Sequence, residues 1–231
     1  MITENIAQIQ QKIALACAKV GRAPDTVTLL AVSKTKPVFL LNEAYQAGIR
    51  DFGENKVQEL LEKQGELPSD IRWHMIGHLQ RNKVKAVFPI THLIHSVDSL
   101  RLAEEISLQA RKENQIADIL IEVNIAKEES KFGISIEDAL ELIRQIAALS
   151  HICVKGLMSI PPFAETGEAN RAYFRQIRQL AITISSENSP HVKMDILSMG
   201  TSQDYTVAIE EGATIVRVGT ELFGERNYQR R

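Results

Sequence analysis

Residues 26–48, TVTLLAVSKTKPVFLLNEAYQAG, decide the fold. A short apolar run of β-branched and aliphatic residues ends at a lysine and a proline, and apolar residues then recur at helical spacing as far as Gly48. Pro37 suits a turn or the first helical position, and Gly48 stands where a helix C-cap belongs. The stretch therefore predicts one strand–helix unit, with the strand over 27–32 and the helix over 38–47.

The same alternation continues along the chain. Further strands are predicted over 50–52, 73–76, 93–96, 118–123, 153–158, 194–197 and 214–218. Helices are predicted over 56–63, 84–87, 99–112, 136–149, 169–185 and 203–211. Asp98 and Ser135 stand where N-caps belong, and Gly212 where a C-cap belongs. Eight strands with a helix in nearly every gap favour an α/β fold, a parallel sheet closed into a (β/α)8 TIM-type barrel. An open doubly wound sheet is the alternative. Ile2, Ile6, Ile9, Ile13 and Ala16 recur at helical spacing, so an extra N-terminal helix precedes the first strand and stops at Gly21.

At 231 residues the chain suits one domain over 1–231, since barrels of this class reach that size undivided. No composition shift, linker or low-complexity run marks a second, and Pro161–Pro162 reads as a loop after a strand. A hydrophobic share of 44% is enough for a sizeable core. Lys plus Arg (27) against Asp plus Glu (29) leaves −2, which gives no electrostatic case for nucleic acid or an anionic membrane as partner. Cys17 and Cys153 match no metal-ligand or redox spacing and read as buried apolar residues in a reducing cytosol. The N-terminus lacks a signal peptide's continuous apolar core, and no stretch reaches the roughly 20 apolar residues of a membrane span. A cytoplasmic protein is expected. No long exposed apolar helix demands a partner, so a monomer is expected.

Lys34 closes the first predicted strand at its C-terminal end, which in a (β/α)8 barrel is the active-site rim. Alternation places it on the side of Val32 and Leu30. Partial desolvation there favours the neutral amine, the form that condenses with an aldehyde, so Lys34 is a candidate Schiff-base former. A solvated lysine just past a strand end is the plain alternative. LSMGTSQD (197–204) and VRVGTELFG (216–224) put small and hydroxyl residues after the seventh and eighth strands. The N–H groups of Gly200 and Gly219 with the hydroxyls of Ser198 and Thr220 could cradle a phosphate, as such loops do widely in this fold. Arg217 shares parity with Ile215 and Gly219; if that face is internal, the cation needs a partner, either a pyridine nitrogen or a core carboxylate.

Polar groups also stand at two other strand ends. FGENKVQE (52–59) offers Asn55, and WHMIGHLQ (73–80) offers His74, His78 and Gln80. The histidines lack a metal-site arrangement with carboxylates, so no metal is expected. For His74 alone, a satisfied core or rim histidine is the simpler reading. Lys127 to Lys131 reads as a solvated loop of mixed charge.

Together, AVSKTKP (31–37), FGEN (52–55), WHMIG (73–77), SKFG (130–133), GLM (156–158), LSMG (197–200) and RVGT (217–220) resemble the YggS/PROSC family of pyridoxal phosphate homeostasis proteins. The motifs follow the family order over nearly the whole chain. The resemblance implies a barrel like the N-terminal domain of alanine racemase, with pyridoxal 5′-phosphate (PLP) held at the strand C-termini. It implies that Lys34 carries PLP as a Schiff base. It places Ser198, Gly200, Gly219 and Thr220 at the phosphate, with Met199 inside the same motif and counted with the cofactor-binding residues. Arg217 is placed at the pyridine nitrogen, and Asn55 and His74 at the ring. Lys131 matches a family lysine near the site, and Lys56 stands where some relatives carry Tyr.

The resemblance also implies a factor in vitamin B6 homeostasis that stores PLP or transfers it, with PLP-dependent apoenzymes as possible recipients, and not an enzyme. Racemization needs an acid/base group on each face of the bound substrate, and none is evident beside Lys34. Relatives that racemize draw it from a further C-terminal domain or a dimer partner, and a chain closing at Arg231 is expected to have no such domain. A low-activity PLP-dependent amino-acid racemase is the alternative, and a Schiff-base aldolase acting on a sugar phosphate is a second.

Overall fold

In the computed structural model, residues 1–128 and 131–225 are described. An N-terminal helix, α1 (Ile2–Lys19), leads into β1 (Thr28–Val32) and α2 (Val38–Gln46). The chain continues through β2 (Asp51–Glu54), α3 (Val57–Glu66), β3 (Arg72–Met75), α4 (Val84–Val87), β4 (Thr91–Val97) and α5 (Leu100–Lys112). Then come β5 (Ala117–Val123), α6 (Ile136–Ala147), β6 (Ile152–Ser159) and α7 (Arg171–Ser185). The last elements are β7 (Val192–Thr201), α8 (Tyr205–Glu210), β8 (Ile215–Val218) and α9 (Thr220–Phe223).

The eight strands close into a barrel in sequence order. Parallel pairing of β1 with β8, from Thr28 opposite Ile215 to Ala31 opposite Val218, excludes the open sheet. Alternation along each strand sorts the side chains. Leu30, Ile76, Leu93, Leu120, Met158 and Ile215 meet inside the ring, while Ala31, Phe52, Ile119 and Val216 pack outward beneath the helices. The apolar face of α1 is buried through Ile2, Ile6, Ile9, Ile13, Ala16 and Cys17, and it lies against α2, α8 and α9. Gly21 follows it with φ +68°, which explains the stop.

Several expected boundaries shift. β7 runs from 192 to 201 instead of 194–197, because exposed Lys193 breaks the apolar run at its start, and at its buried end Ser198 and Gly200 are small or polar and read as a loop. Ser99, not Asp98, is the N-cap of α5, and the Asp98 carboxylate instead lies 3.7 Å from His78 Nδ1. Ser135 caps α6 as expected, its hydroxyl accepting from the Asp138 amide at 3.2 Å. Lys127 pairs with Glu137 and Lys131 with Glu128, both at 2.7 Å, while Glu129 and Ser130 lie outside the described residues. Arg231 does too. Cys17 and Cys153 are buried free thiols. Among the described residues, no helix is long and apolar enough to cross a membrane, and no group of side chains is arranged to hold a metal.

Candidate cofactor site

The C-terminal ends of β1, β2, β7 and β8 surround a cavity of about 460 Å³. β1 stops at Val32, and residues 34 and 35 form a turn that brings Lys34 to the wall of this cavity. Thr35 has φ +64°, an uncommon conformation for a β-branched residue, so something must hold it. The holding group is a buried ion cluster behind the turn. Lys63 Nζ donates to the Ser33 carbonyl at 2.8 Å, to Glu54 Oε1 at 2.8 Å and to Glu59 Oε1 at 2.6 Å. Ser33 Oγ donates to Glu54 Oε1 at 2.6 Å, and the Thr35 amide donates to Glu59. Both neighbours of Lys34 are thus tied to one cluster. Burial pushes the Glu54 carboxyl up, with Lys63 and Ser33 pulling it back.

Arg217 rises from β8 into the same cavity, although only 4% of it is exposed. Its NH1 donates to the Ser198 carbonyl at 2.5 Å and to Ser198 Oγ at 2.7 Å, and its NH2 donates to the Ser159 carbonyl at 2.9 Å. These bonds use three of the five guanidinium hydrogens. Among the described residues, no carboxylate forms a hydrogen bond or ion pair with it. Burial lowers its pKa to about 10, with Asp204 and Glu122 acting against that from a distance, so it stays charged near neutral pH. Glu122 lines an adjoining cavity of about 190 Å³ with Asn124, Lys131, Phe132 and Ile160. Burial, reinforced by Asp98 and opposed by Arg217, raises its carboxyl to about 7, and its Oε2 has no hydrogen-bond partner.

On the opposite wall, the amides of Gly219 and Glu221 point at Ser202 Oγ, at 3.3 and 3.4 Å. Thr201, Ser202 and Thr220 bring hydroxyls to this corner. A Cβ on Gly219 would come within 3.2 Å of the Val32 carbonyl, so the backbone approaches β1 closely there. Convergent amides, hydroxyls and a nearby guanidinium fit a phosphate and a pyridine ring. Asn55 reaches the cavity because Gly77, at the end of β3, lets the chains touch; a Cβ at 77 would lie 2.4 Å from the Asn55 carbonyl oxygen. A larger depression of about 760 Å³ between His78 and Arg101 holds neither the β1 lysine nor the two glycine loops, so its size does not make it the site.

Of the residues named from sequence, Lys34, Asn55, Arg217, Gly219 and Thr220 meet at one cavity. His74, Ser198, Met199 and Gly200 do not line it. His74 is buried inside the barrel between Asp51 and His95, Ser198 is enclosed beside Arg217, and Met199 packs in the outer core. Gly200, at φ +93°, makes the turn toward α8, where a Cβ would meet Tyr205 and Ala208. Lys131 lies at the adjoining cavity, and Lys56 is exposed at the start of α3. Thr201, Ser202 and Glu221 belong to the wall and were missed, although the first two stand in the quoted LSMGTSQD run. Lys63, Glu54 and Glu59 were missed as well, because nothing local in sequence joins them to Lys34.

Residues 3–227 match the family model described as alanine racemase, N-terminal domain. A protein of Aquifex aeolicus named pyridoxal phosphate homeostasis protein is 46% identical over 226 residues, covering 97% of this chain and 98% of its own. The chain belongs to the pyridoxal phosphate homeostasis protein family. The Escherichia coli K12 member is 39% identical over 234 residues, covering 100% of this chain and 99% of its own. PipY of Synechococcus elongatus PCC7942, solved with PLP bound, superposes with a TM-score of 0.84 at 36% identity, over 97% of this chain and 100% of that one. Alanine racemase of Clostridium difficile 630 shares the barrel, with a TM-score of 0.76 at 13% identity, over 98% of this chain and 58% of that one.

Proposed function

We propose that this chain holds PLP as a Schiff base on Lys34 and serves intracellular PLP homeostasis by storing the cofactor or passing it on. The observation that carries this reading is one cavity shared by Lys34, Arg217 and the Gly219–Thr220 corner. The bound state of PipY, a relative at 36% identity, supports PLP as the occupant. The amides of Gly219 and Glu221, with Ser202 and Thr220, take the phosphate; Arg217 donates to the pyridine nitrogen; Asn55 borders the ring. When bound, PLP supplies an aldehyde that condenses with amines and a ring that withdraws electrons from the bond it forms. A permanent cation at the pyridine nitrogen keeps that nitrogen unprotonated, so electron withdrawal is weak and binding outlasts any chemistry. PLP-dependent apoenzymes are the recipients this reading expects, and buried free thiols agree with a cytoplasmic setting.

A low-activity amino-acid racemase is the second reading, favoured by Glu122 in the adjoining cavity, whose carboxyl burial raises to about 7. Borohydride reduction of the PLP-loaded protein, followed by peptide mapping, tests the first. A pyridoxyl adduct on the peptide containing Lys34 is expected, and an adduct confined to Lys36 or Lys131 overturns it. Turnover of amino-acid enantiomers that is sustained and lost in Lys34→Ala establishes the second.

A further inference from the structure

A line of polar side chains, exposed at Arg72 and buried from Asp51 inward, crosses the barrel from its N-terminal end to Arg217. Arg72, at the start of β3, donates through NH2 to Asp51 Oδ2 at 2.5 Å. Asp51 Oδ1 lies 3.1 Å from His74 Nε2, and His74 Nδ1 lies 2.9 Å from His95 Nε2. His95 Nδ1 lies 3.0 Å from Ser198 Oγ, the atom that accepts from Arg217. Both histidines and Ser198 are buried, so each hydrogen must find an acceptor inside the line.

Only one arrangement of hydrogens satisfies neutral rings. Asp51 accepts on both oxygens, so His74 must present Nε2–H to it, which leaves Nδ1 bare. His95 must then donate from Nε2, which leaves its own Nδ1 bare. Ser198 therefore donates its hydroxyl hydrogen to His95 and offers a lone pair to Arg217. The opposite direction would set a bare His74 nitrogen against a carboxylate and leave the Ser198 hydrogen without an acceptor. Burial lowers both imidazole pKa values, so the rings are neutral.

We propose that Asp51, His74, His95 and Ser198 form a one-directional positioning chain that fixes Arg217 toward the pyridine nitrogen of the cofactor. The proposal rests on the PLP reading above. Each donor polarises the next, so the Asp51 charge reaches the Ser198 oxygen and strengthens its bond to Arg217. The chain thereby supplies the partner that a buried guanidinium needs without placing a carboxylate in the cavity. The other groups facing it are His92, edge-on to His74 at 5.6 Å, and Glu122 and Asp204, which act on Arg217 from a distance. Protonating His95 would put a hydrogen on Nδ1, reverse the bond to Ser198 and add a cation beside Arg217.

Nitrogen-15 NMR of histidine-labelled full-length protein, without and with PLP, reads the chain directly. His95 is expected as the Nε2–H form in both states, with its Nδ1 resonance shifting on PLP addition although the ring does not reach it. Ser198→Ala and His95→Leu should each weaken PLP retention about tenfold and shift the absorption band. His95→Gln, which keeps an acceptor and a donor, should recover part of both. A protonated Nδ1 on His95 overturns the proposal. So does folded His95→Leu protein that binds PLP with unchanged affinity and spectrum, which would leave the chain only a structural role. A wild-type protein that takes no PLP onto Lys34 sinks the cofactor reading instead, and the apo spectrum still decides the chain's direction.

Discussion

Removing the Lys63 ammonium leaves the Glu54 carboxylate buried with only the Ser33 hydroxyl for company. Breaking such a pair on one side strands an uncompensated charge, so Lys63→Ala should lose about 3–5 kcal/mol of stability, read by urea unfolding. Lys63→Met with Glu54→Gln removes both charges and should recover most of it. If the cluster holds Thr35 at φ +64°, the double variant still binds PLP less tightly than wild type, because the Ser33 carbonyl has lost its Lys63 donor and Glu59, which accepts from the Thr35 amide, has lost the ammonium that holds it. A double variant with wild-type PLP affinity refutes that role. The phosphate corner is separable from this clamp. Ser202→Ala with Thr220→Val should weaken PLP retention in equilibrium dialysis by more than it lowers the unfolding midpoint. Equal PLP affinity in that variant sinks the corner. Lys34 and Arg217 were legible in sequence because strand parity and chain order reach them. Lys63 was not, since on a helix it reads as one more surface lysine until β2 and α3 are folded together.

At the scale of elements, the site depends on how closely strand ends approach one another. Gly77→Ala places a methyl group where the Asn55 backbone runs, so the β2 and β3 ends must part. PLP affinity should fall even where the barrel still forms, and unchanged affinity would show that Asn55 is not needed at the ring. The N-terminal helix acts from outside the ring. Ile9 is fully buried in the apolar face of α1, a helix that packs against α2, α8 and α9, the last two following the glycine loops. Ile9→Ala should cost about 2–5 kcal/mol, measured by thermal or urea unfolding. Strands such as β1, β5 and β6 were legible because most of their inward and outward residues are apolar, giving short continuous runs. The pattern misjudged strand ends, as at β7, where exposed Lys193 and Asp195 interrupt the apolar run at the start and the buried rim residues Ser198 and Gly200 are small or polar and read as a loop. For His74, parity gives a place inside the ring but not its depth, and the structure buries it between Asp51 and His95.

Across the whole molecule, buried ionisable groups set opposing limits on stability with pH. Asp51 is held down to about 2 by His74 and Arg72 despite its burial, so its stabilisation is complete above the ordinary carboxylate range. That contribution, on the order of 2 kcal/mol, is lost as pH falls through the folded value. His74 and His95 are lowered by burial, so stability also falls as pH drops below the ordinary histidine range and the unfolded rings take up protons. Glu122 runs the other way. Its folded value of about 7 lies above the ordinary glutamate value, so the folded protein binds the extra proton. Its contribution is complete below the unfolded value and is lost as pH rises through the folded one. Glu122→Gln removes this loss without removing bulk. The variant should match wild type in acid and exceed it by on the order of 2–3 kcal/mol in mild alkali. Unfolding free energies measured across that range decide the point. Equal slopes for the two proteins through neutrality would mean that Glu122 ionises as an ordinary surface carboxylate, which would remove the group in the adjoining cavity that favours racemase chemistry.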